Sequence, residues 1–413
     1  MIRIISHLDA RSVMTRRRTR LDQAERIVAP ILEAVRTEGD AALIRYAQQF
    51  DELGNKPLRV SEAELASAAA QMASPILDAV AVARRNIHEF AEAQLPREYL
   101  REFSNGRKLG QIVRPLDAVG CYIPSGRYPL PSTLLMTAVP AQAAGVSKIC
   151  VASPKPSVEI LGCAHLLGLR NIFRIGGAQA IAAMAFGTAT VPKVDRIVGP
   201  GNAYVAAAKK LLAGEVGIDF IAGPTEILIL APDGNPRTIA ADMLAQAEHD
   251  TDAAAVLITL SQKLAEEVAC QIDLQLAALP TAETARAAIE KNSAIIIAPD
   301  IENALELSNE FAPEHLSLLD ASLLPHIRHA GTVFLGEHSP ESAGDYAAGP
   351  SHVLPTSGAA RLRGGLSAAD FVKVIAVQQL SSDALRELAP SITALARAEG
   401  LEAHARSVEI RFA

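Results

Sequence analysis

The sequence has no tryptophan, and aromatic residues make up only 4% of its 413 residues. Alanine, leucine, isoleucine and valine must therefore fill most of the core, as is typical of layered α/β proteins. Cysteine is also scarce, since only Cys121, Cys150, Cys163 and Cys270 occur and none forms a CxxC pair. This pattern predicts buried, reduced thiols in a cytoplasmic protein rather than a disulfide framework.

Positive charge is sparse as well, and the formal net charge is −7. Nucleic acids and anionic membranes both select basic surfaces, so neither is expected as a partner. The short basic cluster at residues 16–18 is interpreted as a solvated helix start. The first ten residues lack the apolar core of a signal peptide. Two uncharged stretches, residues 128–147 and 175–192, carry prolines or polar residues and favour buried loop–helix segments over membrane spans.

Two helical stretches come first, over residues 22–50 and 61–93, and Ser61 with Glu64 predicts a capping box. Short apolar runs then alternate with alanine-rich helices. The predicted strands lie at 148–154, 171–177, 195–201, 226–232, 254–260 and 294–300. This alternation indicates βαβ units, and hence two tandem α/β modules with parallel sheets. Residues 381–413 are predicted to be helical until a final "VEIRFA", with no core of their own.

Glycines follow two of these strands, where a nucleotide phosphate could approach the backbone. "GPGNAY" (199–204) starts as a dinucleotide fingerprint does, but Tyr204 stands at the third glycine position. Gly176 and Gly177 precede a helix whose amino end could bind an anion. Such turns also occur without any ligand, and both interpretations stay open on these residues alone.

A possible metal site is suggested by Gln246 and His249, which are three residues apart near a helix end. Asp345 and His352 lie in a glycine-rich loop. One further nitrogen ligand would complete a zinc site. His404 could supply it, and so could the pair His326 and His329, although these two are interpreted as solvated.

"FAPEHLS" (311–317) places Glu314 beside His315 between a helix and a strand. A histidine can move protons near neutral pH and a glutamate can activate water, so the pair suits acid–base catalysis. A capping glutamate beside a core histidine is the alternative.

Taken in order, nine motifs resemble those of the histidinol dehydrogenase family, from about residue 20 to the end of the chain. They are "VGCYIPSGRYPLPSTLLM", "IGGAQAIAA", "VGPGNAYV", "GPTEILI", "AQAEHD", "FAPEHLS", "ESAGDYAAGPSHVLPT", "GLSAADFVK" and "EGLEAHARSVEIR".

The resemblance implies a fold of two tandem, incomplete Rossmann-like α/β modules with small helical extensions at both termini, in a domain-swapped homodimer. Residues 1–21 would form the amino-terminal helical extension, 22–120 with 227–365 the domain of the metal and acid–base residues, 121–226 the NAD-binding domain, and 366–413 a tail that reaches the partner subunit.

The resemblance also assigns the site. One Zn²⁺ per subunit would be held by Gln246, His249, Asp345 and, from the partner's tail, His404. Glu399 of that tail would meet the amino group of L-histidinol. The remaining contacts would be Thr225 and His352 for the substrate and Tyr122, Gln179 and Asn202 for NAD.

The implied reaction takes L-histidinol through the aldehyde to L-histidine, the last step of histidine biosynthesis, and reduces two NAD. His315 would remove the hydroxyl proton and Glu314 would activate water. Three positions depart from the family pattern: Thr225 replaces a serine, Ser351 an asparagine and Ser125 a glycine.

Three other functions remain as alternatives. A paralogue could oxidise another polar alcohol, such as a sulfonated diol, but Glu399 favours a substrate with an amino group. An aldehyde dehydrogenase would need a reactive cysteine, with Cys121 as the candidate. A non-catalytic zinc-binding protein would leave Glu314 and His315 without a role.

Overall fold

The computed structural model describes residues 1–14, 21–125, 129–221 and 223–412, so the basic cluster at 16–18 lies outside the described residues. The chain divides into two compact units. The first comprises Met1–Ala93 and Leu116–Phe371, and the second comprises Gln94–Pro115 and Val372–Ala413.

The helices are α1 Arg11–Met14, α2 Asp22–Glu38, α3 Asp40–Phe50, α4 Glu62–Gln71, α5 Ser74–Gln94, α6 Pro131–Ala143, α7 Val158–Leu166, α8 Gly177–Phe186, α9 Ala203–Leu212, α10 Pro236–Ala247, α11 Gln262–Leu276, α12 Ala282–Asn292, α13 Ile301–Phe311, α14 Glu341–Tyr346, α15 Ser382–Ala398 and α16 Glu402–Glu409. The strands are β1 Arg3–Ser6, β2 Tyr99–Phe103, β3 Arg107–Pro115, β4 Ala118–Tyr122, β5 Lys148–Ala152, β6 Asn171–Phe173, β7 Arg196–Val198, β8 Gly217–Ile218, β9 Glu226–Leu230, β10 Ala254–Thr259, β11 Ala294–Ile297, β12 His315–Leu318, β13 Thr332–Leu335 and β14 Val372–Leu380.

Two parallel sheets form the first unit. Within the described residues, one sheet has the strand order β6-β5-β4-β7-β8 and the other has the order β1-β11-β10-β9-β12-β13. Apart from β1, the second sheet repeats the order of the first. Strands β4, β9 and β10 are buried along their whole length, as expected where helices cover both faces of a parallel sheet. The predicted mixed α/β class is therefore confirmed.

Local sequence signals explain where the helices begin. The Ser61 hydroxyl accepts from the Glu64 backbone while the Glu64 carboxylate accepts from the Ser61 backbone, so the predicted capping box is present. Asn235 caps α10 and Pro236 opens it. Because this cap fixes the phase of α10, it directs Gln246 to the buried face of the helix.

The second unit contains an antiparallel sheet in the order β14-β3-β2, together with α15 and α16. Its strands keep large apolar side chains exposed, among them Leu100, Val374 and Ile375. Leu395 and Ile410 of its helices are exposed as well.

Several sequence predictions were wrong in detail. The amino-terminal extension is not purely helical, because residues 3–6 form β1 and pair with β11. The segment 94–115 joins the second unit instead of the metal-bearing domain. Residues of α2 and α3 pack with α8 and α9 in the core of the β4-containing sheet, whereas the sequence grouped them with the β9-containing sheet. The final "VEIRFA" starts inside α16 and forms no strand among its described residues.

Within the described residues, no single helix is long and apolar enough to cross a bilayer. The pair α4 and α5 passes that test only when the two are counted together, and it is bent by 112°.

Candidate active site

A cavity of about 520 Å³ in the first unit collects most of the predicted catalytic and metal-binding residues. Its lining includes Pro124, Thr133, Asn202, Phe220, Thr225, His249, Glu314, His315, Asp345 and His352. One sheet faces this cavity with the amino ends of its strands, and the other sheet with a carboxyl end. Glu314 and His315 lie at the amino end of β12, and Thr225 immediately precedes β9. Asn202 follows the carboxyl end of β7.

We call Glu314, His315, Glu341 and Asp345 the acid–base wall. Its first two residues are placed by a break after α13, where Ala312 adopts left-handed backbone angles (φ 49°) and ends the helix. Glu314 is then held by the neighbouring strand. Its Oε2 accepts from the Thr225 hydroxyl at 2.7 Å and from the Glu226 backbone N–H at 2.8 Å. In return, the buried Glu226 carboxylate accepts from the Glu314 backbone N–H.

His315 is a neutral imidazole whose tautomer is set by the backbone. Its Nδ1 lies 3.0 Å from the Glu226 carbonyl oxygen, which can only accept, so Nδ1 carries the proton. Nε2 therefore presents a lone pair, and this buried atom has no hydrogen-bond partner among the described residues. Burial lowers the pKa of His315 to about 3, and the nearby imidazoles of His249 and His352 lower it further.

A metal could be held on the same wall. The ligand atoms of His249, Glu341 and Asp345 all lie within 4.8 Å of one another, and His249 Nε2 is 3.8 Å from Asp345 Oδ2. His249 stands two residues beyond the end of α10, not on its last turn as predicted. Burial raises the pKa of Asp345, while His249 lowers it. Burial raises the pKa of Glu341 well above its usual value, and the carboxylates of Asp345, Glu314 and Asp242 add to the shift.

Gln246 links the metal candidates to Glu314. The end of its amide that faces Glu341 lies 2.5 and 3.1 Å from the two carboxyl oxygens, and the other end lies 2.8 Å from the Thr225 hydroxyl. Burial favours the neutral form of Glu341, and a carboxylic acid donates to an amide oxygen. The Gln246 nitrogen then donates to Thr225, which donates to Glu314. This arrangement satisfies every group in the chain of contacts, so we prefer it to the reversed amide.

His352 contacts the backbone of Asp345. Its Nδ1 lies 2.9 Å from the Asp345 backbone oxygen and its Nε2 lies 3.2 Å from the Thr133 hydroxyl of α6. Nδ1 therefore donates and Nε2 accepts. Burial lowers the pKa of His352 to about 4, although the bond to Asp345 raises it. The preceding Ser351 donates from its hydroxyl to the Met136 backbone oxygen on α6.

We call residues 199–203 together with Phe220 the glycine-loop wall. Asn202 Oδ1 caps α9 by accepting from the backbone N–H groups of Tyr204 and Val205. Its Nδ2 is the end of the amide that remains for a ligand. Because the chain caps this helix itself, the amino end of α9 is not an open phosphate cradle.

Side chains of the protein also bind the backbone of the other glycine turn, at Gly176 and Gly177. Asp51 accepts from the Gly176 backbone N–H at 2.9 Å and from Gln179 Nε2 at 3.1 Å. The Tyr122 hydroxyl accepts from the Gly177 backbone N–H at 3.1 Å. Tyr122 and Gln179 are only 4% and 2% exposed and lie behind the cavity lining. At Gly176 and Gly177, where an anion site was one of two open interpretations, the chain's own Asp51 carboxylate accepts these hydrogen bonds.

Glu399 and His404 belong to the second unit, where Glu399 directly follows α15 and His404 lies on α16. Both are exposed. The alternative ligand His326 is exposed as well, at the end of a 3₁₀ helix over Ala321–His326.

Sequence reasoning missed three residues of the site. Glu341 is four residues before Asp345 on α14, and this spacing places both carboxylates on one helix face, so the pattern could have identified it. Glu226 and Thr133 carried no comparable signal, because their roles depend on contacts between distant elements.

Cys121 does not suit a nucleophile. It is fully buried on β4, and burial raises the pKa of its thiol to about 12. Such a thiol stays protonated at neutral pH. Cys150 and Cys163 are buried too, but Cys270 is exposed, contrary to the expectation of uniformly buried thiols.

Comparisons with known proteins show the family of this chain. The sequence profile of histidinol dehydrogenase matches residues 14–412. The histidinol dehydrogenase of Halalkalibacterium halodurans is 46% identical over 419 residues, covering 99% of each chain, and that of Thermus thermophilus is 50% identical over 394 residues, covering 94% of each.

Solved structures give a consistent result. The crystal structure of histidinol dehydrogenase from Elizabethkingia anophelis superimposes with a TM-score of 0.96 at 37% identity, covering 100% of this chain and 98% of that one. An acetylating aldehyde dehydrogenase from Geobacillus thermoglucosidasius is similar in fold alone, with a TM-score of 0.52 at 13% identity over 88% of this chain and 99% of that one. The chain therefore belongs to the histidinol dehydrogenase family.

Proposed function

We propose that this chain oxidises L-histidinol to L-histidine through the aldehyde, reducing two NAD per turnover, as the final step of histidine biosynthesis. The observation that carries the proposal is the bare Nε2 of His315, a buried base 3.9 Å from Asp345 Oδ1 in a cavity that also contains Glu314. Nothing in the comparisons favours oxidation of a sulfonated diol.

The donor set fits zinc. Gln246, His249 and Asp345 supply an amide oxygen, an imidazole nitrogen and a carboxylate oxygen, all of which zinc accepts. In a tetrahedral zinc site, neighbouring N and O ligand atoms are roughly 3.3 Å apart, close to the 3.8 Å between His249 Nε2 and Asp345 Oδ2. Among the described residues, no lysine or arginine pairs with Glu341 or Asp345, so a cation would offset the charge of the Asp345 carboxylate. When bound at these residues, zinc would act as a Lewis acid towards the imidazole of the substrate.

His315 would act as the base for both oxidations. Its Nε2 would take the proton of the carbinol hydroxyl and later that of the hydrated aldehyde. The Glu226 carbonyl keeps Nδ1 protonated, and this fixes Nε2 as the accepting atom. The lowered pKa leaves the ring unprotonated, so that Nε2 is free to accept a proton.

Glu314 would orient the water that hydrates the aldehyde. Thr225 and the Glu226 backbone fix its Oε2 and hence the plane of the carboxylate. Replacement of the family's serine by Thr225 keeps this hydroxyl contact. His352 would fix the loop that carries Asp345 through its bond to the Asp345 carbonyl.

The glycine-loop wall would receive the nicotinamide cofactor, which accepts the hydride from the carbinol carbon. Asn202 Oδ1 caps α9, so its Nδ2 would be available to donate to an acceptor on NAD. Tyr122 and Gln179 would support NAD binding indirectly. Their hydrogen bonds to Gly177 and Asp51 would fix the turn at Gly176 and Gly177. Ser125, in place of a glycine, bonds to Ser153 and to the Lys155 backbone near this edge of the site.

A homodimer would complete the site. Gln246, His249 and Asp345 leave one zinc position to fill, and His404 is an exposed imidazole on α16. The exposed apolar side chains of the second unit, including Leu100, Val374 and Ile410, suit a subunit interface. In this arrangement His404 and Glu399 would come from the partner's swapped tail, and Glu399 would meet the amino group of histidinol.

The strand orders support the proposed domain assignment. Apart from β1, both parallel sheets have the order of a Rossmann sheet without its sixth strand, so we interpret them as incomplete Rossmann-like modules. Residues 121–226 would form the cofactor module and 227–365 the metal and acid–base module, with residues 366–413 as the tail.

A stoichiometric assay tests the proposal. Purified protein loaded with Zn²⁺ should produce two NADH for each L-histidinol consumed, with L-histidine as the product. A rate equal to that of a buffer blank would contradict the proposed function, and so would one NADH per substrate with the aldehyde released.

A further inference from the structure

Lys209 and Asp219 form a salt bridge deep inside the first unit. Their side chains are 4% and 0% exposed, and Lys209 Nζ lies 2.7 Å from Asp219 Oδ1. Burying two charges carries a desolvation penalty that often exceeds their attraction. An apolar pair would fill the same space without this penalty, so the ion pair calls for a structural reason.

The pair grips both backbone polar groups of one residue. Lys209 Nζ donates to the Gly199 carbonyl at 2.6 Å, and the Gly199 N–H donates to Asp219 Oδ2 at 2.8 Å. Gly199 has a φ of +110°, and a Cβ there would lie 2.2 Å from the Tyr122 carbonyl oxygen. Only glycine fits, and the ion pair holds this glycine at the point where the chain leaves β7.

Residues shortly after Gly199 and Asp219 line the active-site cavity. Asn202 stands three residues after Gly199, and Phe220 follows Asp219 directly. The Phe220 backbone N–H donates to Asp219 Oδ1 at 2.7 Å. Asp219 therefore holds the two segments of the glycine-loop wall together, while neither charged side chain lines the cavity.

We propose that Lys209 and Asp219 are positioning residues, which act through Gly199 and Phe220 to fix the glycine-loop wall in the geometry that binds the dinucleotide. The choice of dinucleotide as the ligand rests on the proposed function. The charges matter because the carboxylate accepts from two separate backbone N–H groups while the ammonium group holds the opposing carbonyl. A neutral side chain at either position lacks the donors or acceptors for all of these bonds.

The test compares Asp219→Asn and Lys209→Met with a matched change elsewhere. Glu64→Gln removes the charge from the Arg174–Glu64 pair, in which Arg174 is 8% exposed and which lies outside the cavity lining. For each zinc-loaded full-length protein, NADH binding is titrated by fluorescence, kcat and both KM values are measured, and amide hydrogen exchange is followed over residues 199–205.

We expect the Asp219 and Lys209 variants to bind NADH more weakly and to lose kcat/KM for NAD by on the order of 10²-fold, as displacement of a binding wall by about 1 Å can cause. Exchange over 199–205 should become faster, while zinc content stays at the parental value. Glu64→Gln should leave NADH binding and this exchange unchanged, even if it lowers the melting temperature.

Lys209→Arg keeps the charge and provides a folded variant if the neutral ones fail to fold. The planar guanidinium cannot reproduce the position of Nζ between Gly199 and Asp219, so NADH binding should weaken here too, but less. Parental NADH affinity and exchange in folded Lys209 and Asp219 variants would overturn the positioning role. Failure of the parent protein to oxidise histidinol would instead contradict the proposed function, and the exchange measurement would still test the ion pair.

Discussion

The two walls of the cavity differ in whether their buried charges are paired with an opposite charge. Behind the glycine-loop wall, Lys209 and Asp219 neutralise each other, and their hydrogen bonds all go to the protein. On the acid–base wall, Glu341 and Asp345 face imidazoles and other carboxylates, and no lysine or arginine of the described chain pairs with them.

The difference suggests that paired buried charges have a structural role, whereas unpaired ones have a chemical role. Compensated charge fixes the backbone, because it leaves no unsatisfied group to attract a ligand. Burial raises the pKa of Glu341 and Asp345, and neighbouring carboxylates add to the shift at Glu341. His315 Nε2 has no hydrogen-bond partner among the described residues, so this wall suits a cation and proton transfer. The predictions below each alter one wall, a proposed zinc ligand or a residue that supports a wall, and each names the property that should change.

The largest effect is expected for His315→Asn. Asparagine keeps a polar group of similar reach but removes the basic Nε2, so turnover should fall by ~10²–10⁴-fold. Zinc content should stay unchanged, because His315 is not among the proposed ligands. Steady-state kinetics with metal analysis checks this, and an unaltered rate would mean that another group is the base.

Loss of a metal ligand should come next. His404→Ala and His249→Ala should each lower zinc content and activity, because each removes one proposed ligand. If the site is shared between subunits, mixing the two variants should restore about a quarter of the parental activity, since half of randomly paired dimers are mixed and each has one intact site. Mixed dimers that form but stay inactive would contradict a shared site.

Glu341→Gln should have a smaller effect. The amide keeps the size of the side chain but alters the contact that orients Gln246, and such supporting contacts are typically worth about 10- to 100-fold in metal affinity. Competition with a zinc chelator measures this affinity. Glu337→Gln on the exposed segment before α14 is the matched control and should change nothing. Equal zinc affinity in the Glu341→Gln and Glu337→Gln variants would contradict a supporting role for Glu341.

The smallest effect is expected at Asp51, which fills the glycine turn behind the cavity. Burial raises the pKa of Asp51, although its bonds to Gly176 and Gln179 lower it. Its folded-state pKa lies above the unfolded value, so it contributes more stability when protonated, and this contribution disappears as pH rises through the folded pKa. The free energy of unfolding of the parent minus that of Asp51→Asn should therefore fall between pH 4 and pH 8. Urea unfolding at several pH values tests the sign, and a difference that rises with pH would contradict it.

Much of the fold could be predicted from local patterns. Ser61 and Asn235 marked helix starts correctly, and apolar runs such as "AAVLIT" marked buried strands. The sequence could not show that residues 3–6 join the edge of a sheet, because their partner strand is nearly 300 residues away. A four-residue strand carries too little pattern to reveal such a pairing.

The candidate site shows the same limit. Short motifs predicted Glu314, His315 and the proposed metal ligands, because those residue types are chemically distinctive. They could not show that β9 and β12 offer their amino ends to the cavity while β7 offers its carboxyl end. Nor could they predict that Asp51 would accept from the Gly176 N–H, or that Asn202 would cap α9, at the two turns where a bound phosphate was an open interpretation. Both depend on contacts between distant segments.

The central claim is that the uncompensated acid–base wall binds a divalent cation beside a neutral imidazole base. An anomalous difference map from crystals of the zinc-loaded protein, recorded at the zinc edge, tests it most directly. The account predicts one peak per subunit, bonded to Gln246, His249 and Asp345 and to His404 of the partner subunit, with His315 outside the coordination shell. A peak at any other position, or zinc bonded through His315 Nε2, would contradict it.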